Sequence, residues 1–213
     1  MLLIDTCGEG AAVALSRANE MVRVEELAER SASAEIVAAV RRMLAAEGWA
    51  LAELDGVGVV SGPGSFTGMR TGLAAAKGLC EAVSVPLAAV SRLAVLAEAA
   101  EASGGFAALR AGRDELYVRD ISDGRECMCG IEEFRLVAKG VRVVVAESRV
   151  AEQLAEMKPK LHSLRVVDSL ALVRRGLQEG GCDVTSVDAN YVRAGREIYR
   201  KQSNKPKMPA STE

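Results

Sequence analysis

Ser61-Gly62-Pro63-Gly64-Ser65-Phe66-Thr67-Gly68-Met69-Arg70-Thr71-Gly72-Leu73 is the stretch whose reading decides the fold. The apolar run Val57 to Val60 precedes it, and the Ala-rich segment Leu73 to Ala82 follows it. The order is therefore strand, Gly/Pro turn, helix. Gly62 and Gly64 free the backbone for a sharp turn, and Pro63 sets one φ within it. Ser65 or Thr67 is placed to cap the helix. Counting by fours from Gly64 gives Gly68, Gly72, Ala76 and Cys80, a nearly flat ridge along one side. An interior glycine costs a helix roughly 1 kcal/mol relative to alanine, so the ridge needs a packing role. Two roles are open: close approach of another helix, including one from another chain, or close packing on the chain's own sheet. The turn is not a phosphate loop. Walker A needs a second glycine five after the first, but Thr67 stands five after Gly62 and Met69 five after Gly64, and Met69-Arg70 follow Gly68 where Lys-Ser/Thr is required. It is not a nucleophile elbow either, because Pro63 stands two before Ser65 where glycine is required.

Before this stretch, Leu2 to Thr6, Ala11 to Leu15 and Met21 to Leu27 read as three consecutive strands, an antiparallel meander. Asp5-Thr6 ends the first strand. In folds that bind ATP between two lobes, an acidic residue here faces phosphate and metal; the alternative is a residue that only makes the turn. Ser31 or Ser33 caps a helix running to about Glu47, with Ile36, Val37, Val40, Met43 and Leu44 on one side. After the ridge helix come a strand at Pro86–Val90 and a helix capped by Ser91 that runs to about Ala102, ended by Gly104-Gly105.

From Phe106 the pattern partly repeats. Strands are expected at Phe106–Leu109, Glu115–Ile121, Ile131–Val137, Val141–Ala146 and Leu164–Val167. Helices are expected at Val150–Met157 and Asp168–Gln178, the latter capped by Asp168 or Ser169. The echo implies an α/β chain of two related lobes with mixed sheets covered by helices, the second lobe eroded. The expected divisions are 1–103, 104–198 and a basic, flexible tail at 199–213.

The 213 residues are 49% hydrophobic but only 3% aromatic, so Ala, Val and Leu must fill the core. A net charge of −2 argues against a general affinity for polyanions. Met1-Leu2-Leu3-Ile4-Asp5 already reads as a strand, with no basic segment before it, and no apolar run approaches the roughly 20 residues of a membrane span. The expectation is a cytoplasmic chain whose five scattered cysteines are reduced thiols. The single histidine, His162, has no carboxylate nearby in sequence, and Cys127-x-Cys129 lacks a second ligand pair. No metal or catalytic site is expected, and the residues favour an interaction protein over an enzyme.

The Ser61–Leu79 segment closely resembles the signature of the bacterial TsaB (YeaZ) family. Leu3-Ile4-Asp5-Thr6, Glu115-Leu116-Tyr117 and Tyr191-Val192-Arg193 resemble shorter pieces of the same family. The resemblance implies the two-lobed ASKHA fold (actin, sugar kinases, Hsp70) and a non-catalytic subunit. Such a subunit binds and supports a TsaD-type enzyme, which forms threonylcarbamoyladenosine beside the tRNA anticodon. A TsaE-type ATPase joins them, and tRNA is met only through the complex. No cofactor of its own is implied; ATP within the complex is left open, with Asp5 and Thr6 as the candidate contacts. The implied partner or homodimer surface lies on the two long helices, at Gly64, Ser65, Phe66, Thr67, Gly68, Met69, Gly72, Leu73, Ala76, Ile36 and Val40. On that reading Gly72→Leu or Ala76→Glu abolishes partner binding and spares the fold. The sequence departs from the family at Arg30–Glu35, which has no histidine, and at Arg110-Ala111-Gly112-Arg113. The alternative to a subunit is an ATP hydrolase or peptidase acting alone.

Overall fold

Short apolar runs place the first two strands, and a partly alternating one the third. In a computed structural model that describes residues 1–28 and 32–192, β1 (Leu2–Asp5), β2 (Ala11–Arg17) and β3 (Glu20–Leu27) form an antiparallel meander. α1 (Ala32–Glu47) follows, with Ile36, Ala39, Val40, Met43 and Leu44 buried. β4 (Val57–Gly62) runs parallel to β1. α2 (Phe66–Val83) leads away from it, and β5 (Leu87–Ser91) returns parallel to β4. The strand order is β3-β2-β1-β4-β5, and α1 and α2 contact each other and this sheet. The next helix, α3 (Arg92–Ala99), is capped by Ser91, whose Oγ accepts from the Ala94 N–H.

The second half repeats the plan. β6 (Phe106–Arg110), β7 (Glu115–Asp120) and β8 (Glu126–Gly130) form a second antiparallel meander, followed by α4 (Ile131–Val137). β9 (Val143–Val145) lies parallel to β6; after α5 (Ser148–Gln153), the two-residue β10 (Lys160–Leu161) lies parallel to β9. The order β10-β9-β6-β7-β8 is that of the first sheet read from its other end. The erosion is in the helices: α4 and α5 have 7 and 6 residues where α1 and α2 have 16 and 18.

α3 joins the lobes. Its Leu93, Leu96 and Ala97, with Ala100, form one buried cluster with Ala107, Leu109, Val144 and Ala146 of the second lobe. The chain then comes back: α6 (Leu170–Gln178) lies on the first sheet, with Val173 against Gly58 and Gly176 against Ala88. After α6, the Cys182 N–H donates to Leu87 O at 2.7 Å.

Several expectations are corrected. Ile131–Val137 is a helix, not a strand; Ile131 and Phe134 are three apart, share one side and are both buried. The third strand is Glu126–Gly130, whose Cys127 and Cys129 supply its buried face. Leu164–Val167 forms no strand, and a 3-10 turn covers Val166–Ser169. Neither expected cap holds α6: Asp168 Oδ2 accepts from the Arg165 N–H, and Ser169 Oγ donates to Val166 O. The division at 104–198 also differs, since the second sheet ends at Leu161 and α6 belongs to the first lobe. Ser31, Arg193 and the basic tail lie outside the described residues. Among the described residues none of the five cysteines is joined in a disulfide, and no helix is long and apolar enough to cross a membrane.

Candidate docking face and interlobe cleft

The ridge glycines mark where α2 meets β1. A Cβ on Gly68 would stand 1.9 Å from Thr6 O, one on Gly64 2.2 Å from Cys7 O, and one on Gly72 2.3 Å from Thr6 Oγ1. Hydrogen bonds exploit the approach. Thr6 Oγ1 donates to Gly68 O at 2.6 Å, the Ser65 N–H to Cys7 O at 2.9 Å, and Cys7 Sγ to Val60 O at 3.0 Å. Ser65 caps the helix, its Oγ accepting from the Gly68 N–H at 3.2 Å. Gly62 sits at φ +115°, and a side chain there would run into Met69 Sδ.

The geometry answers to the second of the two roles left open for the ridge. Gly64, Gly68 and Gly72 serve close packing on the chain's own sheet; Gly72 and Ala76 are buried, and Gly64 and Gly68 half-buried. Met69, Leu73, Ile36 and Val40, expected in the interface, are core residues of the first lobe. Of the expected set, Ser65, Phe66 and Thr67 are exposed.

The free surface is the other side of the same two helices. On α2, counting by fours from Phe66 gives Arg70, Ala74, Gly78 and Ala82, all exposed. Among the described residues, and apart from the helix's own backbone and chain neighbours, nothing lies within 4 Å of the Cβ position of Gly78. On α1, Ala34, Val37, Ala38, Arg41 and Ala45 are exposed, Val37 at 47%. At one edge Phe66, 59% exposed, stands 5.8 Å from the Tyr191 ring, with the Arg70 guanidinium 4.9 Å from its own ring. The result is a low, largely apolar face with an aromatic edge. Its signal was present in the sequence as a second set of small residues, offset by two from the first. Two residues on a helix turn about 200°, so one set faces the sheet and the other faces away.

The second concavity is a cleft of about 610 Å³ between the lobes, lined by Asp5, Glu9 and Glu26 of the first meander and by Arg92, Glu147 and Arg149. Asp5 and Thr6, neighbours in sequence, part company here. Asp5 lines the cleft, whereas Thr6 is buried and committed to Gly68. Asp5 Oδ1 accepts from the Cys7 N–H at 2.9 Å, and burial pushes the Asp5 carboxyl above its ordinary range. Arg92, itself buried, spans the lobes to Glu147 Oε1 at 3.2 Å. Among the described residues no group of three His, Cys, Asp or Glu side chains gathers as a metal site.

Two lobes of one strand order, joined through a buried helix, define a protein of the actin-like ASKHA fold. Residues 23–177 match the family model "TsaD: tRNA N6-adenosine threonylcarbamoyltransferase". The TsaB proteins of Haemophilus influenzae and Escherichia coli, each named a tRNA threonylcarbamoyladenosine biosynthesis protein, are similar to this chain. The first is 34% identical over 125 residues, 57% of this chain and 53% of the relative. The second is 33% identical over 121 residues, 55% and 52%. The chain thus spans about half the length of the curated relatives it matches. The solved structure of YeaZ from Pseudomonas aeruginosa superposes with a TM-score of 0.69 at 26% identity, covering 90% of this chain and 98% of that one. The chain belongs to the family of the matching model and, within it, to the TsaB (YeaZ) proteins.

Proposed function

We propose that this chain is the non-catalytic TsaB-type subunit in the formation of threonylcarbamoyladenosine in tRNA, working in the cytoplasm. Its task is to dock on a TsaD-type catalytic subunit through the outward face of α1 and α2. The observation that carries the reading is that face: two adjacent helices turn mainly alanine, glycine and valine toward solvent, with Arg41 and Arg70 among them, beside an exposed Phe66. Small side chains let a partner helix approach closely, and an exposed aromatic edge supplies an anchor. The relatives named TsaB and the family model named for TsaD support the choice of a TsaD-type partner. A TsaE-type ATPase, ATP within the complex and tRNA reached through it belong to the same proposal. The face is also self-complementary enough to pair two copies when the partner is absent.

Light scattering behind size exclusion tests this, on the chain alone and mixed with the TsaD-type protein of the same source. A one-to-one complex that Ala74→Arg abolishes is the expected result. No complex, with or without ATP and the TsaE-type ATPase, overturns the proposal. A mass for the chain alone that falls toward monomer on dilution reveals the homodimer.

A second reading, an enzyme acting alone, has one observation in its favour: Asp5 reaches the interlobe cleft. ATP or peptide turnover lost in Asp5→Ala would support it; no turnover at high protein concentration would remove it.

A further inference from the structure

The last described stretch, residues 189–192, lies across the Gly-rich turn. Ala189 is buried, the Asn190 N–H donates to Ser61 O at 2.8 Å, and the Tyr191 ring rests beside Phe66. The stretch therefore forms the aromatic edge of the docking face, although it is more than a hundred residues from α2 in sequence.

It is also held from the other lobe. Asn190 Nδ2 donates to Glu126 Oε2 at 2.8 Å. Glu126 lies on β8, at the edge of the second sheet. Its other oxygen accepts from Arg119 Nη1 at 2.8 Å and from Ser91 Oγ at the head of α3. All three neighbours donate, and an ionised carboxylate only accepts, so residue type and surroundings agree. One side chain thus ties together β7, the start of α3 and the stretch that carries Tyr191.

We propose that Glu126 is a positioning residue for the docking face. By holding Asn190 it seats residues 189–192 as a strap on the Gly-rich turn and keeps Tyr191 against Phe66, so the second lobe shapes a surface built on the first. The inference rests on the docking reading above and adds to it a residue outside the two helices.

The test reverses the polarity of the pair. Asn190→Asp sets a carboxylate against Glu126 Oε2, and two carboxylates at that distance repel unless they share a proton. Exchange of the amides of 189–192 with deuterium is then expected to quicken about tenfold, with the TsaD-type partner bound about tenfold less tightly, in the range of coupled neighbours. Adding Glu126→Gln restores both. The glutamine oxygen still accepts from Ser91 and Arg119, and its amide now donates to the new carboxylate at position 190. Glu126→Gln alone is expected near wild type, because the Asn190 amide can turn over to accept.

Rescue of exchange and binding together supports the proposal. Unchanged exchange in Asn190→Asp overturns it, because the strap is then not held by this pair. Faster exchange with unchanged affinity, while Ala74→Arg still abolishes the complex, overturns it too, because the strap is then no part of the face. If Ala74→Arg also leaves the complex intact, the docking reading itself has failed and the proposal falls with it.

Discussion

The two sides of α2 use the same residue types for opposite ends. Inward, Gly64, Gly68 and Gly72 bring the helix so near β1 that a single carbon at any of them would strike Thr6 or Cys7. Outward, Ala74, Gly78 and Ala82 are exposed, and among the described residues Gly78 has open space where a side chain would go. Small residues on a helix thus announce a close approach without saying to what. Burial separates the two cases: the inner set is used up by folding, and the outer set is what remains for a partner.

The sharpest way to break this comparison is on the inner side. Gly68→Ala drives a Cβ into the Thr6 carbonyl, a backbone atom that cannot turn aside, and should cost about 3 kcal/mol or more in urea unfolding. Ala76→Glu, at a fully buried position, should fall in the same range. A variant at either position that is stable but fails to bind would return the ridge to its earlier role as an interface.

Next comes the outer side. Ala74→Arg should lose the complex in a titration while its unfolding midpoint stays within about 0.5 kcal/mol of wild type, as exposed substitutions do. Gly78→Ala should stabilise the free chain by about 1 kcal/mol, since alanine favours the helix and has room there. A loss of stability in thermal melts would show that the outer face is not free.

The smallest effect concerns Asp5, at the end of the strand on which the inner side rests. Burial raises its pKa in the folded chain. The folded state therefore favours the protonated carboxyl, and this contribution is present below the ordinary carboxylate range and lost as pH rises through the raised value. Asp5→Asn keeps the acceptor for Cys7 and removes the charge. It should melt a few degrees higher than wild type near pH 8, with the gap closing toward pH 4. A gap that does not change with pH would show that Asp5 carries no such penalty.

The first lobe was legible in the sequence because its signals are local. Short apolar runs gave the first two strands and a partly alternating one the third, Ser65 and Ser91 cap the helices they precede, and Gly/Pro gave the turn. The second lobe was harder because its elements are short. Glu126–Gly130 is a strand of Cys, Met and Gly, residues with little preference for one, and Ile131–Val137 carries enough β-branched and aromatic character to pass for its replacement. The candidate site was half legible. The two long helices could be read from the sequence, but two small-residue stripes on one helix cannot be told apart until the sheet is in place. Glu126 left no local trace at all, because its three partners come from positions 91, 119 and 190.

The return of α6 to the first sheet has a consequence for how the chain is made. β4 and β5 are complete once residue 91 has left the ribosome, yet the face that Val173 and Gly176 cover stays bare until almost all the described chain has been synthesised. The second lobe is thus built as an insertion into an unfinished first one. Nascent chains stalled near residue 161 should engage chaperones, and a separate peptide carrying α6 should release them.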